Sequence, residues 1–445
     1  MSKMPLGEAR ELCRSLFLET LPSLQVGPRV WKAISLRGDT LQVRGDVYPI
    51  PGRIPRSRAI RVVSVGKAAI EMADAAAEQL AGTRFEGVVV APSLPAQRRP
   101  EYEYFRGGHP YPDPASRLAA EVVLQLLKNS LPEDLVLFLI SGGGSALLDK
   151  PLHPAVSLED LRLFHQVLVT CGAAIEEINA LRKHVSAIKG GRLAKQAAPA
   201  TQITLYVSDV PQHLPSAVAS GPTMPDETTV EDCSRITSRY ALLEKFPASI
   251  RALIESDALA ETPKPGDPCF AKSRYYCLLS NADAVEKLTQ LARSNGLCAE
   301  ADTSCDGWEF RRAADSLLGH LEALRRDRPG RPVALVSGGE LSCPVTGDGV
   351  GGRNQAFVLH CAPKIAGKPI VVLSGGTDGI DGNSPAAGAI ADGSSAGRAA
   401  ALGLEAEDFL HRADSYHFFQ ALHDTLVTGP TGTNVRDLRI LLAYA

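Results

Sequence analysis

Short apolar runs that end abruptly in glycine and a polar side chain recur along this chain. A β-branched and aliphatic run of this length is typical of a buried strand in a parallel sheet. Five such runs occupy residues 62–65, 135–140, 203–207, 333–336 and 370–373. Glycine at the end of a strand lets backbone N–H groups approach a ligand closely. Because open α/β sheets bind ligands at the carboxyl ends of their strands, the pattern predicts an α/β protein with a large anion-handling cleft.

The residues after the first three runs supply groups suited to that cleft. Lys67 follows the first run at the start of a helix, where exposed N–H groups already favour anions. The second run leads into a loop typical of phosphate sites, with Gly142, Gly143 and Gly144 followed by the hydroxyl of Ser145. Asp209 follows the third run, where a carboxylate suits a metal ligand, a general base or a helix cap.

The last two runs introduce an arginine and several acids. Residues 337–340 end in Glu340, and a glycine-dense loop at residues 347–352 precedes Arg353 and a helical segment. Asp378 lies among the glycines that follow the fifth run. The acids of this loop, Asp378, Asp381 and Asp392, lack the spacing and terminal glutamate of a calcium loop. Magnesium beside a phosphate loop is therefore the simpler interpretation.

A segment rich in cations occupies residues 179–193. On a continuous helix Arg182, Ser186 and Lys189 would share one face, at positions i, i+4 and i+7. Such a run is usually a solvated surface, but the two glycines directly after Lys189 are equally consistent with an anion site.

Composition limits the classes of protein that fit. A chain of 445 residues is long enough for two or three domains, and its formal net charge of −3 gives no global field for nucleic acid or anionic lipid. The nine cysteines include no CxxC pair, which favours reduced thiols in a cytosolic protein. No secretory signal or membrane-length apolar run occurs, so we expect a soluble, cytoplasmic protein.

Several common enzyme classes lack their motifs here. No GxxxxGK[ST] sequence occurs, which excludes a P-loop enzyme, and the protein-kinase signatures and GxSxG are absent. Residues 347–352 satisfy GxGxxG, but residues 341–346 separate them from the preceding strand, which weakens a dinucleotide-binding interpretation. A non-enzymatic metabolite-binding protein of the same fold remains an alternative.

The whole chain resembles the type 2 glycerate kinases, whose C-terminal half is called the MOFRL domain. The matching motifs include SVGKA at 64–68, GGHPYPDPAS at 107–116, LISGGGSALL at 139–148 and NALRKHVSAIKGGRLA at 179–194. They continue with SDVPQHLPSAVASGPT at 208–223, SGGELSCPVTGDGVGGRNQ at 337–355, SGGTDGIDGNSPAAGAIAD at 374–392 and TGPTGTNVRDL at 428–438. The motifs occur in order and cover nearly the full length.

The resemblance implies ATP-dependent phosphorylation of D-glycerate to 2-phosphoglycerate, with Mg²⁺. It implies two three-layer α/β domains with a cleft between them, the first Rossmann-like with a mostly parallel sheet and the second smaller with a mixed sheet. We expect these domains at residues 1–250 and 251–445. The expected partners are small molecules, neither nucleic acid nor membrane, and we consider a homodimer. Some relatives are called hydroxypyruvate reductases, which keeps an NAD(P)H-dependent reductase as the alternative.

The resemblance also carries residue roles. We expect catalytic roles for Lys67, Arg353 and Asp378, and magnesium binding by Glu340 and Asp378. Substrate or nucleotide binding is expected of a larger set: Gly142, Gly143, Gly144, Ser145, Lys189, Asp209, Gly349, Gly351 and Gly352.

Two positions depart from the family pattern. Gln212-His213-Leu214 stand where relatives often have Gly-Asp-Asp, and Ala356 replaces a glutamate that follows GGRNQ. No metal or carboxylate role is carried over to these positions.

Overall fold

The computed structural model describes residues 4–50, 60–211 and 213–444. The chain divides into two compact units. The first unit is Val26–Leu279, and the second combines Met1–Gln25 with Ser280–Ala445. No helix in the described ranges has both the length and the apolar character needed to cross a membrane.

The strands of the described residues are short and distributed over both units. In chain order they are β1 Ile34–Arg37, β2 Thr40–Val43, β3 Asp46–Pro49, β4 Ile60–Val65, β5 Phe85–Ala91, β6 Tyr102–Arg106, β7 Leu135–Ile140, β8 Thr201–Val207, β9 Ser273–Leu279, β10 Cys298–Ala301, β11 Val333–Gly339, β12 Ile370–Gly376, β13 Gly388–Asp392, β14 Thr425–Leu426 and β15 Asp437–Ala443.

The α-helices alternate with most of these strands. They are α1 Leu6–Thr20, α2 Val26–Ala33, α3 Ala69–Gln79, α4 Pro114–Leu127, α5 Gly144–Leu147, α6 Leu158–Thr170, α7 Ile175–Val185, α8 Arg192–Ala197, α9 Val230–Arg239, α10 Ala248–Glu255, α11 Asn281–Ser294, α12 Phe310–Asp327, α13 Arg353–Lys364, α14 Ser395–Ala401, α15 Ala406–His411 and α16 Ser415–Ala421. Short 3₁₀ turns occupy Leu21–Leu24, Pro215–Ser220, Leu243–Lys245 and Pro268–Phe270.

The first unit contains a six-stranded sheet in the order β6-β5-β4-β7-β8-β9. All five pairings in this sheet are parallel. Every residue of β7 is buried, which explains why its sequence is wholly apolar. From β4 the chain moves outward to β5 and β6, then returns to place β7 on the opposite side of β4. The carboxyl ends of β4 and β7 therefore form a topological switch point, where sheets of this type bind ligands.

The second unit has a mixed sheet in the order β10-β11-β15-β12-β13-β14. Strand β15 lies between β11 and β12 and is antiparallel to both. Its first residue, Asp437, pairs with Gly339 on one side and with Gly376 on the other. The carboxyl ends of β11 and β12 thus meet around the start of the last strand. Two α/β units, one with a parallel sheet and one mixed, confirm the predicted fold class.

The division between the units differs from the predicted one at residue 250. Strand β9 forms the edge of the first sheet, so the first unit continues to Leu279. At the other end of the chain, α1 belongs to the second unit. The sequence around 225–268 is rich in proline and polar residues, and this composition does not reveal that the following strand returns to the first sheet.

Two local expectations also differ. The weak β pattern before residue 50 is a three-stranded antiparallel sheet, β1-β2-β3. The cation-rich segment is not one helix, because α7 ends at Val185 and Ser186 has extended backbone angles. Lys189 therefore does not lie on a helical face shared with Arg182.

Candidate active site

The switch point of the first sheet joins two of the predicted loops. The main-chain N–H of Lys67 donates to the carbonyl of Gly142 at 2.9 Å. The Ser141 hydroxyl accepts from the N–H of Ala68 at 3.1 Å. A Cβ on Gly66 would overlap Ser141, so the close approach of the two loops requires glycine at position 66. These contacts bring the lysine and the glycine loop together as predicted.

Gly143 has two functional side chains beside it. Its φ of +82° is in the left-handed region, and a Cβ there would lie 3.2 Å from Lys67 Cγ and 3.3 Å from His109 Cδ2. Burial, together with the nearby Lys67 charge, lowers the pKa of His109, so its imidazole is neutral at pH 7. Lys67 is exposed, and its ammonium group has no hydrogen bond or ion pair within the described part of the chain.

Asp209 and Ser145 complete this group, which we call the Lys67 cluster (Lys67, His109, Gly142–Gly144, Ser145 and Asp209). A Cβ on Gly142 would overlap Asp209 Oδ2, so the carboxylate lies directly against the glycine loop. Ser145 Oγ is 2.8 Å from Ser220 Oγ, which in turn donates to Asn179 Oδ1 at 3.2 Å. This chain of hydrogen bonds connects the end of the glycine loop to α7.

Lys189 lies elsewhere than predicted. Its side chain is fully buried and forms an ion pair with Asp149, whose other oxygen accepts from Ser186 Oγ at 2.6 Å. Burial lowers the pKa of Lys189, and the charge of Asp149 opposes that shift. Because its ammonium group is neutralised inside the protein, Lys189 is not presented to a ligand in this structure.

In the second unit Arg353 begins α13 and is held by two acids. Its Nε donates to Asp437 Oδ2 at 2.6 Å and its Nη2 to Asp437 Oδ1 at 3.1 Å, a bidentate contact. Nη2 also lies 2.9 Å from Glu340 Oε1. Burial alone would lower the pKa of Arg353, but the charges of Asp437 and Glu340 raise it above its ordinary value. We call these three residues the Arg353 cluster.

The glycines before Arg353 are packed against the chain itself. A Cβ on Gly349 would lie 2.5 Å from the Arg412 carbonyl, and one on Gly352 would overlap Asp381. The N–H of Gly349 donates to Arg412 O at 3.0 Å, and that of Gly351 donates to Asn383 Oδ1 at 2.8 Å. These donors have protein partners, which argues against a pyrophosphate cradle in this loop.

The start of α13 is also occupied by a protein group. Asp381 accepts from the main-chain N–H of Asn354 at 3.0 Å and of Gln355 at 2.8 Å. Burial raises the pKa of Asp381 to about 6, against the effect of these hydrogen bonds. The buried carboxylate takes the place that an anionic ligand would need at this helix terminus.

A cavity of about 610 Å³ lies in the second unit beside Arg353. Gly349, Gly351 and Gly352 line it together with apolar side chains such as Leu341 and Phe409. This volume is within the range that small-molecule ligands occupy. The three glycines therefore remain candidates for ligand contact through their Cα atoms.

The predicted metal ligands are only partly available. Over the described ranges no three His, Cys, Asp or Glu side chains are placed to hold a metal ion together. Glu340 contacts Arg353, whereas Asp378 is half-buried and accepts from the Ile380 N–H at 3.1 Å on one oxygen. Magnesium in phosphotransferases needs only one or two carboxylates when substrate phosphates supply other ligands. Asp378 fits such a shared ion better than Glu340 does.

The prediction from sequence missed Asp437 and Arg439. Arg439 is fully buried and donates to the carbonyls of Gly338 at 2.9 Å and Gly339 at 3.2 Å, which fixes the end of β11. Asp437 lies within a motif that the sequence already singled out, but only the pairing of β15 with two strands shows that it holds Arg353.

The structure describes His213 and Ala356 at the two positions that depart from the family pattern. Gln212 lies outside the described residues, and its neighbour His213 is exposed. Ala356 is buried in α13 and lines the cavity beside Arg353.

Comparisons with known proteins agree with this arrangement. Residues 12–255 match the domain of unknown function DUF4147, and residues 333–437 match the MOFRL family. The D-glycerate 2-kinase of Thermotoga maritima is 38% identical over 394 residues, covering 87% of this chain and 92% of its own. A protein of Agrobacterium vitis, provisionally named hydroxypyruvate reductase, is 39% identical over 406 residues, covering 89% of each chain.

A solved structure gives the same result for the fold. The crystal structure of glycerate kinase from Thermotoga maritima matches with a TM-score of 0.82 at 34% identity, covering 98% of this chain and 100% of that chain. The chain belongs to the glycerate 2-kinase family, with a DUF4147 domain followed by a MOFRL domain.

Proposed function

We propose that this protein is a glycerate kinase that transfers the γ-phosphoryl group of ATP to the 2-hydroxyl of D-glycerate. One observation carries the proposal beyond family membership. An exposed lysine, which has no side-chain partner in the described part of the chain, lies against a three-glycine loop at the switch point of a parallel sheet. Such a point is where a doubly wound sheet binds an anionic substrate.

Phosphoryl transfer is mainly a matter of positioning and charge neutralisation. Lys67 and Arg353 supply the cations, and the Gly142–Gly144 loop supplies close backbone approach. Arg353 is held in one orientation by Asp437, so its guanidinium needs little reorganisation to meet a developing negative charge. We propose that Glu340 orients the guanidinium of Arg353, because the two side chains form an ion pair.

The acceptor hydroxyl needs a group that orients it and takes its proton. Asp209 and neutral His109 both lie against the glycine loop and are the candidates within the Lys67 cluster. We propose that magnesium arrives with ATP, and that Asp378 contributes to holding it. The ion would neutralise charge on the phosphates.

We further propose that the protein is cytoplasmic and forms a homodimer. The reductase alternative rests on the provisional names of two Agrobacterium vitis relatives. In its expected fingerprint loop, the main-chain N–H groups of Gly349, Val350 and Gly351 already donate to protein oxygens.

A direct assay tests the proposal. Purified protein is incubated with D-glycerate and Mg²⁺-ATP, and separately with hydroxypyruvate and NAD(P)H. We expect 2-phosphoglycerate and ADP in the first reaction and no oxidation of the nicotinamide in the second. Formation of 3-phosphoglycerate would contradict the assigned hydroxyl, and reduction of hydroxypyruvate without phosphorylation would replace the kinase assignment.

Variants of the two cations test the site itself. We expect Lys67→Ala and Arg353→Ala each to lower kcat/KM by about 10²-fold or more, as is typical for loss of a group that stabilises transition-state charge. Lys128→Ala removes an exposed cation at the C-terminus of α4, and Arg325→Ala removes a half-buried cation of α12 that pairs with Glu322. Both variants should leave kcat/KM unchanged. A folded Lys67→Ala protein with normal kcat/KM would remove Lys67 from the mechanism.

A further inference from the structure

Arg182 stands out among the cations of the first unit because of where α7 places it. Asn179 and Arg182 lie three residues apart on one face of α7, and Ser186 directly follows the end of that helix. Asn179 is connected through Ser220 to Ser145, the end of the glycine loop. Ser186 donates to Asp149, which follows α5 closely in the chain. Arg182 therefore lies in the chain between Asn179, which is linked to the end of the glycine loop, and Ser186, which is linked to Asp149.

The guanidinium of Arg182 has no partner among the residues that the structure describes. Arg182 is half-buried, its Nε is buried without a hydrogen bond, and no ion pair to the side chain occurs within the described residues. The next cation on α7 is satisfied, because Lys183 Nζ lies 3.0 Å from Asp226 Oδ1. Asp149, the acid whose charge acts most strongly on Arg182, already forms an ion pair with Lys189.

The electrostatics of Arg182 favour the binding of an anion. Burial lowers the pKa of Arg182, and the charge of Asp149 only partly opposes the shift. A guanidinium cannot escape the cost of burial by deprotonating. A partly buried charge without a protein partner costs free energy, and an anionic ligand would offset that cost.

We propose that Arg182 binds the carboxylate of the acid substrate; this inference rests on the proposed glycerate kinase function. The planar guanidinium fork matches a carboxylate through two parallel hydrogen bonds. The phosphoryl group has a different place, because the glycine loop and Lys67 form the phosphate-type part of the cluster. In glycerate the carboxylate is bonded to the carbon that carries the 2-hydroxyl. An anchor for one group therefore positions the other, and Arg182 acts as a specificity-determining residue.

The test combines a protein variant with a substrate variant. We compare wild type, Arg182→Gln and Arg182→Lys on D-glycerate and on D-glyceramide, in which a neutral amide replaces the carboxylate. We expect Arg182→Gln to lower kcat/KM for D-glycerate on the order of 10²-fold, mainly through KM, because a site built for a charged group discriminates strongly. Activity on D-glyceramide should differ between wild type and Arg182→Gln by less than about threefold.

Three further measurements complete the design. Arg182→Lys should retain part of the activity on D-glycerate, because it keeps the charge but not the fork. The affinity for ATP, measured by calorimetry, should be unchanged. Arg162→Gln is the matched control: its Nε is also buried without a partner, but its Nη1 donates to Glu159 at 3.4 Å on the surface. It should behave as wild type.

The possible outcomes separate this inference from the proposed function. Equal losses on D-glycerate and D-glyceramide, or weaker ATP binding by folded Arg182→Gln, would overturn carboxylate recognition. If Arg182→Gln turns over D-glycerate as efficiently as wild type, carboxylate recognition by Arg182 is overturned and the kinase assignment stands. If wild type binds D-glycerate without turnover and Arg182→Gln does not bind it, the inference stands and the kinase assignment fails. Should Arg182→Gln not fold, the same comparisons with Arg182→Lys decide.

Discussion

At the scale of single residues, Asp381 is the carboxylate that should give the second unit a measurable pH dependence. Its pKa is raised by burial from 3.8 to about 6. Between these values the folded state binds a proton that the unfolded state does not, so stability increases as the pH falls. From pH 7 to pH 5 we expect this group to raise the free energy of unfolding by about 1 kcal/mol. Urea unfolding at several pH values measures it, and Asp381→Asn should flatten the slope. A wild-type slope of the opposite sign, unchanged in Asp381→Asn, would show that Asp381 is ionised throughout.

Residue positions could be predicted from sequence where they depend on strand ends, and not where they depend on burial or on strand pairing. Lys67, the glycine loop and Asp209 follow separate strands, and the parallel sheet brings them together as expected. Lys189 has the spacing of a ligand-binding cation, but only the structure shows that it is buried against Asp149. Asp437 depends on the register of β15 between two partners, which no local pattern encodes.

At the scale of elements, the glycine loop after β7 should tolerate no side chain at Gly142. A Cβ there would overlap Asp209 Oδ2, and the Gly142 carbonyl accepts the hydrogen bond from Lys67 N–H. We expect Gly142→Ala to lower kcat/KM by about 10²-fold through misplacement of these groups, with the secondary structure intact. Gly319→Ala is the control, because Gly319 lies within α12 with open space around it and should be slightly stabilised by alanine. Steady-state kinetics and circular dichroism check both, and an active Gly142→Ala enzyme would contradict the tight fit.

Periodicity predicts the type of most helices and strands correctly, but it does not predict where some of them end or which sheet they join. The end of α7 at Val185 was missed because the cation pattern continues past it at helical spacing. The extended Ser186 gains its hydrogen bond to Asp149 and a bridge to Pro151, both distant in sequence. These tertiary contacts override a local preference for helix.

At the scale of the whole molecule, the N-terminal helix is part of the unit formed by the C-terminal half of the chain. Leu16 and Phe17 of α1 are buried, and a Cβ on Gly375 of β12 would lie 2.8 Å from Phe17 Cζ. Arg10 pairs with Asp392 and Asp424. The DUF4147 match begins at residue 12, so this family domain crosses the structural division.

Replacing Phe17 should therefore weaken the second unit rather than the first. Phe17→Ala removes a fully buried ring and should cost about 3–5 kcal/mol. Leu18→Ala, at an exposed neighbour on the same helix, should cost less than about 0.5 kcal/mol. Hydrogen–deuterium exchange locates the effect. We expect faster exchange in Ile370–Gly376 and Gly388–Asp392 of Phe17→Ala, and no change in Leu135–Ile140. Faster exchange confined to the parallel sheet would mean that α1 stabilises the first unit instead, and that the chain divides at a single point after all.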